Sequence, residues 1–199
     1  MKFIVGLGNP GEEYKNTRHN TGRIVLDVVR KTLEGSDWEF NKIYNAQVSL
    51  VKIGKEKGLF LLPETFMNKS GSALRKLVTS AKKAKDLVVF YDDLDLPMGR
   101  LKISYNKSSG GHKGLESIIR EVKTLEFSRF RIGIAPKTSG GKIKKPSGEE
   151  KVEKHIMGGF NEEDMKTLKK LGKKSAEALV VLCNEGWEKA ASLYSNIEV

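Results

Sequence analysis

At 199 residues, with 36 Lys+Arg against 25 Asp+Glu and a formal net charge of +11, the chain suffices for one sizeable core and is short for two domains. It is also more basic than an enzyme of small neutral molecules needs to be, which points to a polyanionic partner. One cysteine, Cys183, excludes a disulfide framework within the chain, and its apolar helical surroundings read as a buried, inert thiol. No apolar run approaches a membrane span and no signal peptide is visible, so a cytoplasmic protein is expected.

Residues 2–7 read as a buried strand, followed by the turn Gly6-Leu7-Gly8-Asn9-Pro10-Gly11. Ile24, Val25, Val28, Val29 and Leu33 recur at helical spacing and predict a helix over 21–33. Two β-rich runs, 46–53 and 58–62, flank the polar turn Gly54-Lys55-Glu56-Lys57 and predict a hairpin. Leu74, Leu77, Val78 and Ala81 mark a helix leading into a strand over 87–91, after which come a short strand over 101–105, a helix over 115–122 and a strand over 127–135. The polar segment 136–154, with Gly140-Gly141, Pro146, Gly148 and six lysines, reads as a mobile basic loop. Asn161 then caps an amphipathic helix running to about Leu182, with Glu162, Glu163 and Asp164 at its positive end, and a last short helix holds Trp187 and Leu193; together these make 161–199 a pair of C-terminal helices. Strands alternate with helices except at the hairpin. A single α/β domain over 1–199 follows, with a mixed, mostly parallel twisted sheet and helices on both faces.

In such a fold the strand-end loops converge on a crevice, and three of them carry Asn9 with His19, Asn68, and Asp92. Imidazole titrates near neutrality, so His19 can take a proton from water and return it. Asp92 can accept from the other ring nitrogen, fixing the tautomer, while Asn9 and Asn68 offer neutral donors and acceptors for water, a carbonyl or a developing oxyanion. No G-x-S-x-G surrounds any serine, so a nucleophile is lacking. Asp92, Asp93 and Asp95 do not match a calcium loop, and Asp93 and Asp95 read as a solvated turn. The turn after the first strand matches G-x-G-x-x-G, but Pro10 falls where a dinucleotide-binding helix should already run, and Asp27 lies inside a helical pattern. The glycines instead let the backbone pass close to a substrate. Ser108-Ser109-Gly110-Gly111-His112-Lys113-Gly114 opens a helix without P-loop spacing, and with Lys107 and Lys113 it forms a candidate phosphate site. Lys166, Lys169, Lys170, Lys173 and Lys174 read either as a face for a nucleic-acid backbone or as a solvated helix face.

Val5-Gly6-Leu7-Gly8-Asn9-Pro10-Gly11, Tyr14, Thr17-Arg18-His19-Asn20-Thr21-Gly22, Thr65-Phe66-Met67-Asn68-Lys69-Ser70-Gly71, Asp92-Asp93-Leu94-Asp95-Leu96-Pro97 and Gly110-Gly111-His112-Lys113-Gly114 together resemble the bacterial peptidyl-tRNA hydrolases. The resemblance implies a monomeric enzyme, independent of metal and cofactor, that hydrolyses the ester between a peptide and the 3′ ribose of tRNA and so recycles tRNA from aborted translation. It implies His19 as the base and Asp92 as its orienting partner, with Asn9 and Asn68 holding water, substrate and imidazole. Tyr14, Phe66 and Met67 would line the peptide cleft, with Asn20, Gly110 and Lys113 also on the substrate. Lys102, Lys107, His112 and Arg131 would face tRNA. One departure stands out: Lys113 follows Gly-Gly-His where the family usually carries Asn. A protein touching several tRNA phosphates should bind with steep salt dependence.

Overall fold

Consecutive residues of a strand face opposite sides, so the apolar runs at Ile4-Val5, Phe60-Leu61-Leu62 and Val88-Val89-Phe90-Tyr91 need cover on both faces. The computed structural model describes residues 1–136, 143–195 and 197–199. Its elements in chain order are β1 (Lys2–Gly6), α1 (Thr21–Thr32), β2 (Glu39–Asn41), β3 (Ala46–Ile53), β4 (Glu56–Pro63), α2 (Ala81–Ala84), β5 (Leu87–Pro97), β6 (Leu101–Tyr105), α3 (Lys113–Val122), β7 (Ser128–Ala135), α4 (Glu149–Met157), α5 (Glu162–Glu185) and α6 (Trp187–Tyr194). Short 3₁₀ stretches lie at Glu12–Tyr14, Arg18–Asn20 and Met67–Leu74.

The strands form one seven-stranded sheet in the order β2-β3-β4-β1-β5-β7-β6. Its central four strands are parallel, and β2, β3 and β6 add antiparallel edges, so the expected α/β architecture is present. Ile4, Phe60, Val88 and Phe90 pack on α1, α5 and α6. Val5, Leu61, Val89 and Tyr91 pack on α3 and the 3₁₀ stretch Met67–Leu74. Two apolar layers therefore sandwich the sheet. Among the described residues no helix is long and apolar enough to cross a membrane. Cys183 is half-buried in α5, and burial pushes its thiol up to about 11, in keeping with an unreactive group.

Several elements differ from the sequence reading. The helix expected through Leu74 to Ala81 is broken: the hydroxyls of Ser70 and Ser72 donate to the carbonyls of Met67 and Lys69, and Gly71 lies against the backbone of Ser117, so the chain tightens into a 3₁₀ coil. The strand expected to end at Tyr91 runs on to Pro97. Within the segment read as a loop, 137–142 lie outside the described residues, but Glu149–Met157 is helical, with Glu149 and Glu150 in its first turn and Lys154 and His155 in its last. None of its residues is fully buried, and its apolar face is only Val152, Ile156 and Met157, set among charged residues. As expected, the Asn161 side chain caps α5, accepting from the Asp164 N–H at 2.8 Å.

The start of α1 rests directly on the sheet. A Cβ added at Gly22 would lie 2.3 Å from the Phe90 oxygen and 2.6 Å from the Leu7 nitrogen, contacts that backbone cannot yield. Gly22→Ala is expected to cost about 1–3 kcal/mol or more, seen as a Tm several degrees lower by circular dichroism; an unchanged Tm would mean that α1 can slide.

Candidate active site

β1 lies between β4 and β5, and the loops leaving the carboxyl ends of β1 and β4 meet residues 91–95 in a cleft of about 750 Å³. Asp92, expected on a strand-end loop, lies within β5 itself, because that strand runs on to Pro97. Asn9 stands in the turn after β1. Its backbone is clamped by Asn20, whose Oδ1 accepts the Asn9 N–H at 2.8 Å and whose Nδ2 donates to the Asn9 oxygen at 2.9 Å. The Asn9 Oδ1 accepts the Met67 N–H at 2.8 Å, which leaves its NH₂ as the end still able to donate. One glycine-rich turn and the loop after β4 are thus locked together.

His19 lies in the 3₁₀ turn just before α1 and is 8% exposed. Its Nδ1 is 3.0 and 3.2 Å from the two Asp92 oxygens. Asp92 also receives a second imidazole, with His112 Nε2 3.0 Å from Oδ1. The His112 Nδ1 accepts the backbone N–H groups of Gly114 and Leu115 as the N-cap of α3. That nitrogen holds a lone pair, so the His112 proton is on Nε2 and is donated to Asp92. The carboxylate accepts from both rings. With its proton on Nδ1, His19 presents a basic Nε2 to which no described residue donates.

Burial works against ionising Asp92, yet the two imidazoles, by charge and hydrogen bond, hold its carboxyl below the usual range. Burial likewise lowers the His19 pKa, but the charge and hydrogen bond of Asp92 outweigh it and raise the value above 6.5, with Lys113 opposing the rise. The ligand atoms of His19, Asp92 and His112 lie within 4.8 Å of one another, a spacing that could hold a metal ion. As bonded, however, both imidazoles point an N–H and not a lone pair at the shared point, and binding a metal there would strip α3 of its cap.

The cleft gathers most residues expected from the sequence: Asn9, Tyr14, His19, Phe66, Met67, Asn68, Asp92, Lys107, Gly110, His112, Lys113 and Arg131 all line it. Tyr14 and Phe66 meet edge to face at 6.4 Å, and Phe66 is 60% exposed, an apolar wall open to a ligand. Met67 is buried beneath Gly114. Asn20 does not line the cleft, because both ends of its amide are spent on Asn9. Lys102 lies on β6, exposed and paired in register with Arg131, outside the cleft lining. His112, placed on the tRNA side by the resemblance, lines the cleft and holds Asp92. Asp93 is no solvated turn residue: buried at the end of β5, it accepts from Arg131 Nε at 2.5 Å and from the Asp95 N–H at 2.8 Å. Asp95 is exposed and pairs with Lys145. The sequence reading missed the far wall, where Glu149, Val152, Glu153, Ile156 and Met157 of α4 face the cleft. This helix is anchored by a hydrogen bond from His155 Nε2 to the Ile134 oxygen at 3.0 Å and by Arg18, which donates to the His155 oxygen at 3.3 Å.

The G-x-G-x-x-G turn leads into a 3₁₀ stretch and not a helix, and Asp27 lies in α1 beside Arg30, Lys31 and Trp38, so the dinucleotide geometry is absent at this turn. The peptidyl-tRNA hydrolase family model matches residues 3–199. A peptidyl-tRNA hydrolase of Desulfitobacterium hafniense (strain Y51) is 37% identical over 196 residues, covering 98% of this chain and 100% of the relative. One of Hydrogenobaculum sp. (strain Y04AAS1) is 40% identical over 195 residues, covering 97% and 96%. The crystal structure of peptidyl-tRNA hydrolase from Acinetobacter baumannii, 24% identical, superposes with a TM-score of 0.86 over 100% of this chain and 96% of that one, a likeness of fold. The convergence of these segments on one cleft and a family match over residues 3–199 agree: the chain belongs to the peptidyl-tRNA hydrolase family.

Proposed function

We propose that this cleft hydrolyses the ester between the peptide and the 3′ ribose of peptidyl-tRNA with water activated by His19, without a metal or cofactor, and that the enzyme acts as a cytoplasmic monomer recycling tRNA from aborted translation. The observation that carries the chemistry is the His19–Asp92 pair, which leaves Nε2 basic at the wall of the cleft. As water attacks the ester carbonyl, one of its protons passes to His19 Nε2 and the carbonyl oxygen becomes an oxyanion. Collapse breaks the bond to the ribose, and the imidazolium returns the proton to the departing 3′ oxygen. Asp92 stabilises the imidazolium between these steps, and the NH₂ of Asn9 and the amide of Asn68 are the neutral donors for the oxyanion. Tyr14, Phe66 and Met67 take the peptide, while Lys107, Lys113 and Arg131, with Lys102 beside them, supply positive charge to the tRNA backbone.

The test is release of free tRNA from N-acetyl-aminoacyl-tRNA by the purified protein with EDTA present. Release supports this reading. A well-folded protein that binds tRNA but releases none would instead be an RNA-binding member of the fold.

Hydrolysis by this route needs neutral His19. Because Asp92 raises the His19 pKa, protonation silences the base at a pH higher than an ordinary imidazole would, and the acid limb of kcat/KM is expected above pH 6.5. Lys113→Asn should remain active and move that limb still higher, since it removes a charge that favours neutral His19. Near-total loss of activity would show that lysine has taken a specific part in the reaction.

A further inference from the structure

Among the described residues Arg129 is the largest fully buried side chain, and its Nε, Nη1 and Nη2 are all buried without a hydrogen-bond partner. It lies on β7, in register with Val89 of β5 on one side and Ser104 of β6 on the other, so its side chain and that of Ser104 leave the same face of the sheet toward α3. The Ser104 Oγ is also buried and without a partner. The Phe127 ring covers the guanidinium, with its centre 4.2 Å from Cζ.

A guanidinium has five N–H donors and stays charged, and burying it with neither bonds nor counter-charge costs several kcal/mol. The acids nearby are already engaged: Asp92 by two imidazoles and Asp93 by Arg131. None of the undescribed residues, 137–142 and 196, is acidic. Tyr91 is no phenolate, because burial and then Asp93 push its hydroxyl well above its ordinary value. We propose that Arg129 and Ser104 form an internal binding site for a small monoanion of the halide class, chloride under physiological conditions. The guanidinium is fully buried, which favours a small anion over phosphate or a carboxylate ligand, and Ser104, its register partner on β6, is a second buried donor without a partner among the described residues. In keeping with a missing counter-charge, burial brings the guanidinium down to about 10.

The test compares thermal unfolding in chloride and in gluconate at equal ionic strength, which removes general screening of the +11 charge. The wild type should gain about 2–4 °C in saturating chloride, Ser104→Ala should need more chloride for the same gain, and Arg129→Met should gain nothing. If Arg129→Met does not fold, Ser104→Ala carries the comparison. Crystals grown in bromide should show an anomalous peak beside Arg129. Equal Tm values in the two salts, a chloride effect that survives Arg129→Met, or a chloride effect with no bromide peak would each overturn the site. A peak without any effect on Tm would mean an adventitious ion only, overturning it as well.

Discussion

Asp92→Asn is expected to reduce kcat by about 10³–10⁴-fold, although it changes one atom. Asp92 accepts two N–H groups, from His19 Nδ1 and from His112 Nε2. An asparagine has one acceptor oxygen, and its NH₂ can only face a nitrogen that carries a lone pair. His112 is held in its tautomer by the two backbone N–H groups at its Nδ1, so it keeps the oxygen. His19 must then turn its lone pair toward the new NH₂ and place its proton on Nε2, where the water should be activated. The base is present but occupied. Stopped assays of tRNA release over a range of substrate concentrations should show the loss in kcat with little change in KM, and circular dichroism should show a folded protein. Retention of more than a tenth of the wild-type rate would mean that Asp92 does not set the tautomer.

His19→Ala is expected to lose about 10²–10⁴-fold in kcat, the usual contribution of a positioned general base. The residual rate would come from the donors of Asn9 and Asn68, which are untouched. The variant also leaves Asp92 with one donor in a buried place, a cost of about 1–3 kcal/mol, so assays belong well below its lowered Tm. Imidazole added to this variant has a shaped space beside Asp92 to enter, and partial rescue would separate lost chemistry from a damaged fold. Activity close to wild type would move the base elsewhere.

Much of this was legible in the chain because the signals were local. The apolar spacing of Ile24, Val25, Val28 and Val29, the polar turn between β3 and β4 and the cap at Asn161 each act within a few residues, and each element formed where expected. The convergence of Asn9, His19, Asn68 and Asp92 was legible for a different reason: strand order places β5 and the carboxyl ends of β1 and β4 side by side, whatever the loops do in detail. What escaped depends on partners distant in sequence. His112 is twenty residues from Asp92, and only the fold of the Gly110-Gly111 turn, with both glycines at positive φ, brings its ring back to the carboxylate. The helix Glu149–Met157 has no fully buried residue and is held by contacts with Ile134 and Arg18, so the short apolar face of Val152 and Ile156 was outweighed in the sequence by the glycines and lysines around it. Asn20 shows the same limit: its type suits a ligand contact, and only the pairing with Asn9 reveals that its amide is already used.

The hydrogen bonds at both nitrogens of the His112 ring have a consequence for how the cleft responds to its ligand. One nitrogen of that ring closes a helix and the other restrains a carboxylate, so the glycine turn, α3 and the base form a single mechanical linkage. If a bound backbone tugs the turn outward, Asp92 keeps only one donor and its charge falls wholly on His19, which becomes a stronger base. The grip on the ligand and the readiness of the water are thereby geared to the same ring.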